Sequence, residues 1–457
     1  MTLQKFSLTI GLAFLFVLSI AFLSCGGGSG GSSPMGTGAA LTITISDPTV
    51  CSASQGGPFR HIYVTITDVQ GFTTSGMPDF ASGVDLTPNL SQNPVQVDLL
   101  GIPNGCVLAE LPTSQSVAPG TYRQLAVYLA GSDQVSKIAG GSKCGNTVDG
   151  LAANCEVLAD GTVIDDDPAT TGSSPFVIPT SAIAGGQIVI AQGSQTLNID
   201  FDACASAVIY RDSYGGLDPT MHAALMSSSG KITGQVVDSS TGQPVSGNVV
   251  VALEQPDSNA VDRVVLQTSA DSDGNFTLCP VPSGTFDVVA TAISSSGVSY
   301  GATITTGVQA GDSLANVTIV SVNGSLSGIN GTVTAAGPAG PLTGFTHIVV
   351  SALQSGTVNG TVVFFTIPLV AAYSSSLRTL VTATNNYQIQ VAAAGPRVGG
   401  FLTSGKTIYQ QTGGAQYSVD VQSSCSPAVM RTAAPLTVTP GAHVSAGTIA
   451  LSGCPPA

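Results

Sequence analysis

After residue 25 the chain carries no sustained apolar stripe of helical period; its apolar residues instead alternate one by one with polar ones in short runs. Successive side chains of a strand point to opposite faces, so such a run buries one face and wets the other, whereas a helix would scatter the same residues around its whole circumference. Leu41 to Ile45, His61 to Ile66, Val95 to Leu99, Thr121 to Tyr128 and Leu197 to Phe201 all keep this period. The 55 Gly and 26 Pro supply turns between them. Only 8% of residues are charged, where a soluble protein carries about 25%, so few salt-bridged helices can be built. The expected fold class is all-β, with three β-sandwich-like domains in tandem. With 26 acidic against 12 basic residues the net charge is −14. A chain without a basic footprint cannot displace counterions from phosphates, so no nucleic-acid partner is expected.

The N-terminus sets the expected address. Lys5 precedes an apolar run from Phe6 to Leu23, the charged and apolar regions of a secretory signal. The run is long enough for an uncleaved membrane helix to be the alternative. Leu23-Ser24-Cys25 resembles the bacterial lipobox, with Phe22 where that motif usually has Leu. The resemblance implies a lipoprotein signal peptide over 1–24, lipidation of Cys25, and a membrane held through that lipid. Residues 25–38 are a Gly/Ser tether with little to bury. Gly26 follows the Cys where inner-membrane lipoproteins carry Asp, so the resemblance points to the bacterial outer membrane or cell surface.

Nine cysteines are present; setting Cys25 aside leaves Cys51, Cys106, Cys144, Cys155, Cys204, Cys279, Cys425 and Cys454. An even set in an exported chain suggests disulfides. The candidates are Cys144 with Cys155, which bracket a short Gly/Asn-rich loop, and Cys425 and Cys454, both near the C-terminus. Cys51, Cys106 and Cys204 share the first domain while Cys279 is alone in the second, which leaves open a cross-domain bridge or free thiols. No C-x-x-C occurs, against a zinc ribbon or a thioredoxin-like site.

Residues 39–226 carry Leu41 to Pro48, V-Q-V-D-L-L over Val95 to Leu100, Pro119-Gly120-Thr121-Tyr122 and L-N-I-D-F-D-A over Leu197 to Ala203. This region resembles a family of bacterial domains of unknown function found at the N-terminus of surface lipoproteins. The resemblance implies a β fold at the cell surface and brings no activity. Residues 230–322, through Lys231 to Asp238, Gln243 to Gly247, Asp271 to Phe276 and Val281 to Phe286, are similar to carboxypeptidase-regulatory-like or transthyretin-like sandwiches, and also to starch-binding ones. Residues 324–457 align with that second unit. Ile232 to Val236 matches Ile329 to Val333, Val250 to Glu254 matches Val350 to Gln354, and Val308, Gly311, Thr318 and Ile319 match Val438, Gly441, Thr448 and Ile449. The third unit is expected to be a diverged copy with loop insertions around Phe364–Ser376 and Val398–Gly414.

Chemistry is sparse. His61, His222, His347 and His443 are never spaced to share a metal, and His61 and His347 read as satisfied imidazoles opening apolar strands. Gly27-Gly28-Ser29-Gly30-Gly31 matches a nucleophile-elbow pattern but has a tether on its flanks instead of a strand and a helix. Asp271 and Asp273 begin like a calcium loop, yet position twelve is Pro282, so a hairpin turn is favoured. Asp160, Asp165, Asp166 and Asp167 read as solvated loop charge, with calcium as the alternative. Asp200 and Asp202 share a strand face and could pair as carboxylates, given a substrate cleft. Tyr210 and Tyr214 are the tyrosines placed to meet a ligand. No catalytic residue and no cofactor is expected, and the chain is expected to be a monomer. The function expected is a non-enzymatic, membrane-anchored surface lipoprotein acting as an adhesion, scaffold or binding module that contacts polysaccharide or surface proteins. The alternative is a carbohydrate-binding protein assisting separate hydrolases.

Overall fold

In the computed structural model the alternating runs become strands. The structure describes residues 38–47, 59–76, 78–101, 106–112, 116–147, 150–166, 173–202, 207–209, 215–217, 220–226, 230–245, 247–257, 259–322, 324–335, 348–368, 386–403, 407–423, 426–432 and 434–451. All belong to one unit, Thr37–Ala457.

The first region uses β1 (Ala39–Ser46), β2 (Phe59–Phe72), β3 (Val95–Asp98), β4 (Gln124–Ala130), β5 (Cys155–Leu158), β6 (Ser173–Ile178), β7 (Ser194–Asp202) and β8 (Thr220–Met226). One sheet runs β8-β7-β1, with β1 and β7 parallel and Ala109–Leu111 on the far edge. The other runs β5-β2-β4-β6, with β3 beside β2. Leu41, Ile43 and Ile45 of β1, Leu197, Ile199 and Phe201 of β7, and Ile62, Val64 and Ile66 of β2 fill one core. Ile43 lies opposite Leu197 and Ile45 opposite Ile199; a slip of one residue would turn this whole set outward. The P-G-T-Y motif acts in the same core. Tyr122 is buried, its hydroxyl donates to the Ala118 carbonyl at 2.9 Å, and Gly71 leaves the space its ring occupies.

The second region uses β9 (Gly230–Asp238), β10 (Gly247–Pro256), β11 (Val261–Ser269), β12 (Asn275–Val281), β13 (Thr285–Ser294), β14 (Ser299–Gln309) and β15 (Ser313–Ser321). The third uses β16 (Ser327–Ala335), β17 (Ile348–Val358), β18 (Thr361–Thr366), β19 (Asn386–Val391), β20 (Arg397–Gly400), β21 (Gln416–Ser423), β22 (Ser426–Arg431) and β23 (His443–Leu451). One pairing scheme recurs in both. The opening strand pairs antiparallel with one strand (β9 with β12, β16 with β19) and parallel with the last (β9 with β15, β16 with β23). The second strand is flanked by antiparallel neighbours (β10 by β11 and β13, β17 by β18 and β21). At matched positions Gly234 and Gly331 each lie under an aromatic ring of the paired strand, Phe276 and Tyr387 respectively, and a Cβ there would enter the ring.

Strands also form where the sequence suggested loop insertions. Within β18, Val261 of β11 pairs with Phe364 and Asp262 with Phe365, in parallel. Likewise β20 pairs in parallel with β14, from Thr303 with Arg397 to Thr306 with Gly400. Both segments carry apolar residues a solvated loop would expose, and here Phe365 is 0% and Val398 8% exposed. The second and third regions thereby share one sheet, and Val289, Ala302 and Ile304 of the second join the core of the third.

Candidate functional site

Residues two apart on β2 share its outward face, which sets His61 beside Tyr63. Their rings stack, centroids 5.3 Å apart and planes 20° off parallel. On the neighbouring β3, Asp98 pairs with Tyr63, and its Oδ2 lies 2.6 Å from His61 Nδ1. Asp98 Oδ1 accepts the Leu100 amide at 3.1 Å, so the carboxylate is held from both sides. A neutral His61 would donate from Nδ1 to Asp98 and keep Nε2 as an acceptor. Burial, and then the charge of Asp98, push the Tyr63 hydroxyl upward, so it stays a donor. The His61 and Asp98 side chains are 38% and 23% exposed, so the group faces solvent.

Beside it, Cys155 pairs across the strands with Tyr63 and is disulfide-bonded to Cys144, Cα atoms 5.7 Å apart. Closing so short a loop contributes roughly 3 kcal/mol, and it anchors β5 against β2. An imidazole oriented by a carboxylate is the base half of a nucleophilic site, which also needs a hydroxyl or thiol within reach. Among the described residues no such group is hydrogen-bonded to His61. What the group offers is a stacked aromatic pair beside a carboxylate, the chemistry that meets the face of a ring and its hydroxyls. Sequence reasoning took His61 for a satisfied strand imidazole. The signal it missed was Asp98 in the V-Q-V-D-L-L run, because the two residues stand 37 apart.

A second polar group lies on the other sheet. Register sets Ser46 of β1, Asp200 of β7 and His222 of β8 side by side. These are the residue types of a hydrolase triad, in which the imidazole must stand between the other two. Here the Ser46 hydroxyl donates straight to Asp200 Oδ1 at 2.7 Å, and Asn198 Nδ2 donates to Ser46 Oγ at 2.8 Å. Burial pushes His222 down to about 4, leaving it neutral, and no partner reaches its Nδ1. The Ser46, Asn198 and Asp200 bonds satisfy one another beneath β11, which lies against β7 and β8; they activate no nucleophile. The polar letters of L-N-I-D-F-D-A are thus packing residues at Asn198 and Asp200, while the Asp202 side chain lies outside the described ones.

Asp271 forms a hairpin turn: its Oδ1 accepts the amides of Asp273 and Asn275, both at 2.9 Å. Gly274 closes that turn at φ +75, where a Cβ would strike the Val236 carbonyl. Asp165 pairs with Cys155, and the Asp166 amide donates to the Asn154 carbonyl at 3.1 Å. Among the described residues no group of three or more His, Cys, Asp or Glu is placed to hold a metal ion, and no helix is long and apolar enough to cross a membrane. Cys279, whose pairing the sequence left open, is bridged to Cys106, Cα atoms 5.3 Å apart. Cys25, Cys51, Cys204, Cys425, Cys454, Asp167, Tyr210, Tyr214 and His347 lie outside the described residues.

None of the curated proteins matches the chain. Among solved structures it is similar to the Bacillus anthracis TIE protein at 9% identity and a TM-score of 0.17, over 91% of this chain and 51% of that one. This chain thus spans about half the length of that protein. It is similar to a DUF3823 family protein from Bacteroides uniformis at 11% identity and a TM-score of 0.17, over 43% of this chain and 89% of the other. A minor pilin of Streptococcus agalactiae matches at 13% identity and a TM-score of 0.15, over 62% and 97%. Scores this low transfer no function. The family match is confined to the first region, where residues 38–218 fit the family described as a domain of unknown function, DUF4382.

Proposed function

We propose that the chain is a lipid-anchored bacterial surface protein with no catalytic role, a braced β block that presents binding surfaces away from a membrane. The observation that carries this reading is the Cys106–Cys279 bridge together with the shared sheet, which join three sequence regions into one body. A body so joined, on a Gly/Ser tether behind Cys25, suits adhesion or scaffolding at the outer membrane. Changing Cys25 to Ala is expected to abolish acyl labelling. Unchanged labelling overturns the anchor.

The stacked His61–Tyr63 pair beside Asp98 favours a second reading, binding of carbohydrate for separate hydrolases. On a glycan array the full chain should then bind with saturation, and Tyr63→Ala should weaken binding about five- to tenfold, since a lost stacking face costs about 1–1.5 kcal/mol. Absence of binding, or equal binding by the variant, leaves the platform without this role.

A further inference from the structure

Where β18 joins the second region, carboxyl groups are buried. Glu254 of β10 stands opposite Asp287 of β13, and Asp262 opens the adjacent β11. Glu254 is 0% and Asp262 1% exposed. The Asp262 and Asp287 carboxyls lie close enough to act on each other, and two carboxyls can share a hydrogen bond only when one of them holds a proton. Among the described residues no donor reaches Glu254 Oε1 or Asp262 Oδ2. The remaining contacts hold the junction. Thr366 of β18 donates its amide to Glu254 Oε2 at 3.2 Å and its hydroxyl to the Asp262 carbonyl at 2.7 Å. Asp287 accepts the Gly307 amide at 3.0 Å.

The charged neighbours do not neutralise the group. Arg263 of β11 acts on Glu254 through its charge, but its guanidinium is committed to Asp257 of the β10–β11 hairpin at 3.1 Å and to Asp420 of β21 at 2.8 Å. Arg431 of β22 is likewise bound to Asp420, at 3.0 Å, and lies over the Phe364 ring of β18, 4.5 Å from its centroid. Two guanidiniums thus serve Asp257 and Asp420, and three further acids remain. Burying the charges of Glu254 and Asp262 unpaired is costly, and protonation removes that cost.

We propose that Glu254, Asp262 and Asp287 form a proton-held clasp across the β11–β18 junction, closed in acid and loosened as the protons leave. Burial first, and then the neighbouring acids, push Asp262 up to about 8 and Glu254 well above the ordinary range. Burial also raises Asp287. A raised carboxyl holds a proton in the folded chain that the unfolded chain has released. Its stabilisation is complete below the ordinary carboxylate range, about 4, and is lost as pH rises towards about 8.

The test is thermal unfolding of the full chain from about pH 4.5 to 9, with amide exchange at Thr366 followed over the same range. Tm should fall by about 2 °C per pH unit for each carboxyl that stays protonated. Thr366 should also lose protection beyond the intrinsic rise in exchange rate. Glu254→Gln and Asp262→Asn, which keep shape and cannot ionise, should flatten both trends. Asp68→Asn is the control: Asp68, pushed up to about 6 in the first region, adds a slope to Tm but none to Thr366. A Thr366 protection that does not change with pH in the wild type overturns the clasp even if both junction variants fail to fold. So does a Tm at pH 7 that chelator lowers and calcium chloride restores, which would mean a cation in place of protons.

Discussion

Changing Cys106 or Cys279 to Ser is expected to lower stability by about 5 kcal/mol, because the bridge closes a loop of 173 residues and removes that much entropy from the unfolded chain. The two single variants and the double should behave alike, since all remove one bond, so their effects will not add. Urea unfolding without reductant reads the difference, and reduced wild type, which also loses the Cys144–Cys155 bridge, should fall further than the variants. The folded state should survive the loss. Ala224 and Met226 of β8 lie in the core of the second region, and β11 covers the polar face of β7 and β8. A change under about 1 kcal/mol would mean that the covalent link does not restrain the unfolded chain.

The second large effect is expected at Phe365. Its ring is 0% exposed in a core shared by Val289, Ala302 and Ile304 of the second region and by Tyr417 and Val419 of the third. Phe365→Ala should therefore cost about 3–5 kcal/mol, and both regions should weaken in one transition. Val362, on the same strand and 59% exposed, is the internal control: Val362→Ala should stay within about 0.5 kcal/mol. If Phe365 belonged to an inserted surface loop the two variants would be alike, which a urea titration distinguishes directly.

The fold could be read from the sequence wherever one residue's neighbours decide its environment. Leu41, Ile43 and Ile45 alternate with Thr42 and Thr44, and period two can bury only one face. Asp271 to Gly274 carries its own turn chemistry within four residues. Ile232 to Val236 and Ile329 to Val333 open two units with the same pairing scheme, since repeated letters encode repeated partners. His61 and Asp98 are ordinary letters of separate strands until β2 and β3 pair, and then become the one oriented imidazole–carboxylate couple among the described residues. Glu254 was legible only as the counterpart of Gln354 in the repeat. That it meets Asp262 and Asp287 depends on the stagger of three strands.

The sequence by itself determined an all-β chain, its turn positions and the strand pattern repeated in its second and third units, because these rest on the period and chemistry of adjacent residues. Only the tertiary structure decided that Cys279 joins Cys106, that Phe364–Thr366 and Arg397–Gly400 are strands binding two units into one sheet, and where buried acids meet. An edge strand has unpaired backbone groups along its whole length and accepts many partners. Which one it takes is settled by the apolar surface that pairing buries, a sum over residues far apart in the chain.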